Sequence, residues 1–454
     1  MAGPAIFEHE IAFEPSRAAD VLRALPAAAG VVALMGPQAT DKPHMLKAAN
    51  IRRRLQGLLE PAEGQTKRLN LRDRIARIAW RETGSEFESL LVLHRAMLVV
   101  FGAEETRRRM RLSTPYTVRF AAETRYPRIY ATNHLRRRSL ATTFGPFASK
   151  FAAERYCEAV EELFQIRRCF QELRPSPDDP GCIYGEIRKC MAPCQARCTD
   201  EQYGAEAAEV LEFLRTRGAS RVSAIEAERD DASAAMMFEA AAEAHVRATK
   251  AKSVASMADE LVQPIDALRA VMVMPCHSVG DEPHVAVFAY ADGCLRGPER
   301  VSMLGVRLAR EQADVGTSLF AQPMMLAAVP LEGSVPDAPE KKDAEASGTA
   351  GSSGSAEERM MAAVMRLQDG SAAPDTQVLS DHLALLRRWY YRPEKQRVGT
   401  IFFRERDSWP VRRMVRAAAK LLLPVGDEET TFHAQAQKTR TRKKPAPVVE
   451  VPAV

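Results

Sequence analysis

Four cysteines, Cys169, Cys182, Cys190 and Cys194, lie close together in the chain, with twelve, seven and three residues between them. They constrain the fold more than any other feature, because four soft sulfur ligands on one inorganic centre would brace the segment that carries them. A set of this kind suits a structural zinc or an iron–sulfur centre, and spacing alone does not separate the two. Arg167, Arg168, Arg188 and Lys189 flank the set, and nearby positive charge is expected to lower a thiol pKa and favour the thiolate. The alternative is that these are small buried core residues. Disulfides are not expected, since eight cysteines in 454 residues is not the density of a secreted scaffold and no apolar N-terminal run marks a signal peptide. A cytoplasmic location is the expectation that follows.

The net charge is only +5, but its distribution is uneven. Arg52, Arg53 and Arg54, then Lys67, Arg68, Arg72, Arg74 and Arg77, then Arg107, Arg108, Arg109 and Arg111, then Arg136, Arg137 and Arg138 load the first third with cations. Guanidinium clusters fit a phosphate backbone, whose neutralisation releases counterions and gives sequence-independent, salt-sensitive affinity. The competing outcome is a solvated charged face. The length suggests about three domains, and an apolar content of 46% is enough to bury real cores. No run of ~20 apolar residues is present, so no membrane span is expected.

Periodicity predicts an α+β chain. Short strands are expected at 31–34, 43–47, 116–120 and 128–131, and helices at 50–59 and 86–100, the second with Leu90, Leu93, Met97 and Val100 on one stripe. A long amphipathic helix is predicted over 148–170, with Phe151, Tyr156, Val160, Leu163 and Phe164 on its apolar side. From 201 to 255 the chain is almost entirely helix-forming, with Gly218 as a break. Phe238, Glu239 and Ala241 belong to a small-residue helix surface suited to packing on another helix, its own or a partner's. Residues 332–358, with GTAGSSGS at their heart, are predicted to be a disordered insertion. After it, LSDHLALLRRWYYRP reads as a helix, GTIFFRE as a strand and VRRMVRAAAKLLLP as a helix. The basic tail, 426–454, is expected to be disordered and to add a loose electrostatic grip on nucleic acid.

The runs TPYTVRF, YPRIYAT, FGPFASKFAAERYCEAVEELFQIRRC and CIYGEIRKCMAPC, in that order, resemble the UvrC family, the nuclease subunit of the bacterial excision-repair complex. FEAAAEAHVRATKA is similar to that family's UVR helical hairpin, and AVFAYADGCLRG to the start of its linking domain. The resemblance implies a layout of a GIY-YIG-like domain (1–110), a strand and helix segment with the four cysteines (111–200), the hairpin (201–256) and an α/β linking unit (257–425). It implies a [4Fe-4S] cluster on Cys169, Cys182, Cys190 and Cys194, with zinc as the alternative, and leaves Cys157 and Cys198 structural. DNA and a UvrB-like protein are the implied partners.

The resemblance also places the nuclease motifs, and several of their groups are missing. Gly30, Val31 and Val32 stand at the first motif, with Val32 in place of its tyrosine. His44, Met45 and Leu46 stand at the second, again without tyrosine. Residues 47–54 follow the family pattern, with Lys47 kept and Arg54 at the catalytic arginine. The metal-binding carboxylate falls at Leu93. Metal-assisted hydrolysis needs a hard cation on oxygen, usually Mg²⁺, and leucine offers none. Glu86 shares a helical face with Leu93 but lies about 10 Å along the axis, and Glu88 is rotated away. His44, Lys47 and Arg54 are therefore read as remnants of a silenced site in a DNA-binding excision-repair component. The alternative is an active metal-dependent endonuclease in which His44 or Glu105 replaces the missing groups. A third reading makes the cysteines a redox sensor. The RNase H-like domain expected after the linking unit is not found, which suggests a truncated relative. Asp381 and His382 open a helix whose apolar side points to packing.

Overall fold

The computed structural model describes residues 6–38, 40–60, 71–277, 282–306, 354–369, 374–405 and 408–422. Among them are three four-stranded sheets, all paired antiparallel. The first module contains β1 (His9–Ala12), α1 (Ala18–Ala24), β2 (Gly30–Met35), β3 (His44–Ala48), α2 (Ile51–Leu59), β4 (Arg77–Glu82) and α3 (Glu86–Met110), with strand order β1-β4-β2-β3. Strand β2 is apolar without alternation because both its faces are covered. Val32 and Leu34 join Ile51, Leu55 and Leu25 under α1 and α2, while Val31 and Ala33 face α3. The N-terminus of α2 is capped by Asn50, whose side chain accepts a 2.9 Å bond from the Arg53 amide, and that of α3 by Ser85, which accepts from Glu88 at 3.1 Å.

The second module builds a sheet of order β6-β5-β7-β8 from β5 (Thr117–Phe120), β6 (Ile129–Thr132), β7 (Thr143–Gly145) and β8 (Gln263–Pro264). Between β7 and β8 run α4 (Lys150–Glu161), the single turn α5 (Ile183–Glu186), α6 (Asp200–Arg215), α7 (Ala219–Ala234) and α8 (Phe238–Ala255). The sheet's last strand thus lies beyond the α7–α8 hairpin. Helix α6 starts in a capping box: Thr199 Oγ1 accepts from the Gln202 amide at 3.2 Å and Gln202 Oε1 accepts from the Thr199 amide at 2.9 Å. The hairpin closes on its small residues, with Ile225 against Ala244, Ala248 and Ala251. Gly218 separates α6 from α7 at φ +88°, where a Cβ would come within 2.4 Å of the Ala255 side chain, so glycine is required on both counts.

The third module has sheet order β11-β10-β9-β12, from β9 (Ala270–Pro275), β10 (His284–Ala291), β11 (Cys294–Ser302) and β12 (Thr400–Phe403). Asp292 and Gly293, both at positive φ, turn the β10–β11 hairpin. Helices α9 (Ala356–Gln368) and α11 (Val411–Leu422) cover the face of Val271, Val273, Val285 and Val287, while α10 (Thr376–Tyr390) and α3 cover that of Met272, Met274, Phe288 and Tyr290. Helix α3 is therefore held between two sheets.

Several expectations are corrected. Val100 does not continue the buried stripe of α3 but is 43% exposed. The helix runs on to Met110 with a kink at Gly102, φ +76°. Helix α4 stops at Glu161 rather than 170: Phe164, Ile166 and Arg167 are buried in an irregular segment, where the Arg167 amide donates to Tyr203 Oη and its Nε to the Tyr126 carbonyl, both at 2.9 Å. Tertiary partners outweigh helix propensity there. Phe151 is exposed, not core, because it sits five residues before Tyr156, about 140° round the helix. The predicted insertion 332–358 overlaps the start of α9, where Ser355 and Glu358 form a second capping box. The rest of that insertion, and the tail 426–454, lie outside the described residues. Among the described residues no helix is long and apolar enough to cross a membrane.

Candidate nucleic-acid interface and cysteine site

An open cleft of about 840 Å³ lies between β3 and α2, lined by His44, Lys47, Asn50, Arg53 and Arg54 among others. Arg53 and Arg54 are exposed there because Ile51, Leu55 and Leu59 take the buried face of α2. The pKa of His44 is lowered first by burial and then by the charges of Arg54 and Arg109, so the tail of α3 also contributes to the cationic field. A neutral imidazole among guanidinium groups can accept a proton, and the surrounding charge favours a phosphate.

No free carboxylate faces this cleft from the positions that motif placement singled out. Leu93 is 8% exposed and belongs to the core between α3 and the third sheet. Glu86 is ion-paired with both Lys47 and Arg392, and these hold its pKa down to about 2. Glu88 is buried and its carboxylate accepts the Gly84 amide at 2.9 Å. Its pKa is raised, chiefly by burial. Glu105 is paired with Arg108 and Arg109. An acid committed in this way is a poor ligand for a hard cation.

The remaining arginines divide by environment. Arg52 Nε donates to the Leu25 carbonyl at 2.8 Å, which ties α2 to the end of α1. Arg107 Nε lies 2.9 Å from Asp381 Oδ1 and its Nη1 donates to Gln377 Oε1 at 2.7 Å, so it docks α10 rather than facing solvent. Arg109 stacks 4.2 Å from the Phe101 ring. Arg136, Arg137 and Arg138 are exposed where a 3₁₀ turn (Arg137–Thr142) begins. On the α7–α8 hairpin, Met236, Met237 and Phe238 are exposed at the tip, Phe238 by 70%, with Glu239 exposed beside them and Ala241 half-buried.

The loops around α5 gather the four cysteines. Burial raises the Cys190 thiol to about 11, the Ala192 amide that donates to its sulfur at 3.4 Å opposes this, and the thiols of Cys169, Cys182 and Cys194 push it further up. Cys194 is raised by burial and by Asp179, with Cys182 and Cys169 adding to it. Cys190 thus lies within electrostatic range of the other three sulfurs, and Cys194 within range of Cys182 and Cys169. At Cys190 and Cys194 the shift is upward, not downward as the sequence suggested. Arg168 turns to Glu161 and Glu162, Lys189 to Glu162, and Arg167 to backbone carbonyls. Cys198, four residues beyond Cys194, also senses it. Among the described residues no three histidine, cysteine, aspartate or glutamate side chains are already drawn to metal-binding separation. Four thiols in one loop cluster are a donor set of the chemical type that a sulfur-bound centre uses.

Residues 116–213 match the family described as UvrC/Cho excinuclease, middle domain. The chain is 29% identical over 197 residues to the UvrABC system protein C of Alcanivorax borkumensis, covering 43% of this chain and 32% of that protein. It is 28% identical over 250 residues to that of Desulforudis audaxviator, covering 53% and 38%, and 34% identical over 115 residues to that of Hyphomonas neptunium, covering 24% and 19%. The chain thus spans well under half the length of these curated relatives. No solved structure matches it.

Proposed function

We propose that this chain, a member of the UvrC family through its middle domain, is a DNA-gripping component of nucleotide excision repair that does not itself cut the strand. The observation that carries this is the cleft at His44, Lys47, Arg53 and Arg54: it is cationic, while Leu93 is buried and Glu86 is committed to Lys47 and Arg392. Such a surface attracts a phosphate backbone, and among the described residues the carboxylates considered, Glu86, Glu88 and Glu105, are each already committed rather than free to hold the cation that metal-assisted hydrolysis uses. The first module is read as a GIY-YIG-type scaffold that has kept its grip and lost its chemistry.

The cysteine loops are read as the seat of a [4Fe-4S] cluster on Cys169, Cys182, Cys190 and Cys194, with zinc as the alternative occupant. Either would act as a structural crosslink between the end of α4 and the start of α6. The exposed Met236, Met237 and Phe238 at the hairpin tip are read as the docking surface for a UvrB-like protein in the cytoplasm. Support for that partner comes from the naming of the relatives as parts of a UvrABC system.

Fluorescence anisotropy with duplex DNA across a salt series tests the grip. Affinity should fall with salt, and replacing Arg53 and Arg54 together by alanine should flatten the log–log slope by roughly 2, about 0.9 for each lost phosphate contact. Binding that ignores salt would remove the basis of the reading. A second reading, metal-dependent incision with His44 as base, draws on the lowered pKa of that histidine. It requires nicking that disappears in both His44→Ala and Arg54→Ala.

A further inference from the structure

A second aromatic and cationic feature lies in the second module, away from the cleft between β3 and α2. The guanidinium carbon of Arg128 sits 4.5 Å from the Tyr130 ring centroid and 4.0 Å from that of Phe170. This three-layer stack stands between two clefts of about 740 and 590 Å³, and both clefts are lined by Tyr130 and Phe170. Phe170 is 74% exposed, an unusual cost for a ring with no apolar cover. Arg128 Nη1 is buried and has no hydrogen-bond partner among the described residues, so a donor there awaits an acceptor. Across the larger cleft a further ring, Tyr184, lies 4.9 Å from the Arg168 guanidinium.

The chemistry of these walls selects a ligand class. Exposed rings interleaved with guanidinium groups present flat π-surfaces on which any nucleobase can stack. The larger cleft is also lined by Glu158 and Glu161. Carboxylates would repel a phosphate there, but they accept hydrogen bonds from exocyclic amino groups on base edges. The Arg128 donor can take a phosphate or carbonyl oxygen in the smaller cleft, which Arg128 lines. Burial raises Glu161 to about 7 against the charge of Arg168, which lies 3.7 Å from one of its oxygens; its other oxygen is the one left for a base edge.

We propose that the Tyr130–Arg128–Phe170 stack and its two clefts hold unpaired bases of single-stranded DNA, with a base resting on Phe170 and its amino edge turned toward Glu161. The inference rests on the DNA-binding reading and deepens it: the arginine cleft of the first module grips duplex backbone, and this site discriminates opened from closed DNA. Because Phe170 is exposed, its removal should not disturb the core.

The test uses the full chain with two DNAs of equal length, a duplex and one with a central unpaired bubble carrying 2-aminopurine. Wild type should bind the bubble more tightly and change the probe's emission. Phe170→Ala should weaken bubble binding by about tenfold with duplex affinity unchanged, and Phe170→Trp should restore both bubble affinity and the emission change. Equal weakening of duplex and bubble, or no change in either, would overturn the proposal. Salt-sensitive binding by wild type with no bubble preference overturns the stack alone. Binding of neither DNA by wild type overturns the underlying DNA reading as well.

Discussion

His94 and His382 meet edge to face at 5.5 Å in the core between α3 and α10. Neither ring nitrogen of His94 has a hydrogen-bond partner among the described residues, while His382 Nδ1 accepts the Leu295 amide at 3.2 Å. Burial, with Arg95 adding, holds His94 at about 4, and burial, with His94, Arg95 and Arg296 adding, holds His382 at about 3. Both are neutral when folded and free to protonate near 6.5 when unfolded. Stability should thus be full above that value and decline as pH drops toward 4, by about 2 kcal/mol per histidine between pH 6.5 and 5. Urea unfolding at both pH values checks this. His94→Phe should be nearly neutral at pH 7 and should reduce the acid loss, since it removes a buried group with unpaired nitrogens. Glu86 acts in the same direction over a lower window: its carboxyl is held at about 2 by Arg392 and Lys47, so its contribution is present above 4.5 and lost as pH falls toward 2. Because the side chain is half exposed, that contribution is about 1 kcal/mol. The stability gap between wild type and Glu86→Gln should close over that window. The sequence placed Glu86 on the helical face of Leu93 but could not show its commitment, because Arg392 joins it from 306 positions away.

Helix α6 and the hairpin that follows it connect local sequence rules to the proposed partner surface. Thr199→Ala should cost about 1 kcal/mol through loss of the capping box, and Gly218→Ala should cost more, since φ +88° and the Ala255 side chain both oppose a Cβ. Thermal unfolding of the two variants should rank them in that order. At the hairpin tip, Phe238→Ser should leave the melting temperature unchanged while weakening capture by a UvrB-like hairpin at least fivefold in a pull-down titration. Equal capture would remove that surface from consideration. Element by element, the strands β2, β3, β5 and β6 and the helix α2 were legible because apolar spacing and the Asn50 cap act locally. The end of α4 was not, since no glycine or proline marks it and the segment is captured by Tyr203 and Tyr126. Helix α9 was missed because the low-complexity run before it hides the capping pair Ser355 and Glu358.

Helix α10 joins all three modules. Arg388 reaches the Met110 carbonyl at the end of α3, Arg387 Nε reaches the Phe147 carbonyl at 2.9 Å, Tyr391 Oη reaches Pro146 at 3.0 Å, and Asp381, 3% exposed, pairs with Arg107. Asp381→Ala leaves Arg107 facing an emptied, buried position and should cost about 3 kcal/mol in urea unfolding. Sequence reading put Asp381 and His382 in a packing role, but the modules they join could not be read from periodicity. Short spacing is enough to put the four cysteines in neighbouring loops, whereas the partners that Arg167, Arg168 and Lys189 take, Tyr126, Glu161 and Glu162, could not be read from it. Anaerobically isolated protein should contain about four iron and four sulfide per chain if the centre is a cluster, and Cys190→Ser should abolish the visible absorption and lower the melting temperature. One zinc with no sulfide would select the alternative occupant, and metal-free protein would remove the centre altogether. The most direct test of the whole account measures binding and strand scission together: supercoiled plasmid is incubated with the protein in Mg²⁺ or Mn²⁺ at salt low enough to hold the complex. The account predicts retarded but unbroken plasmid; nicking that Arg54→Ala abolishes would contradict it.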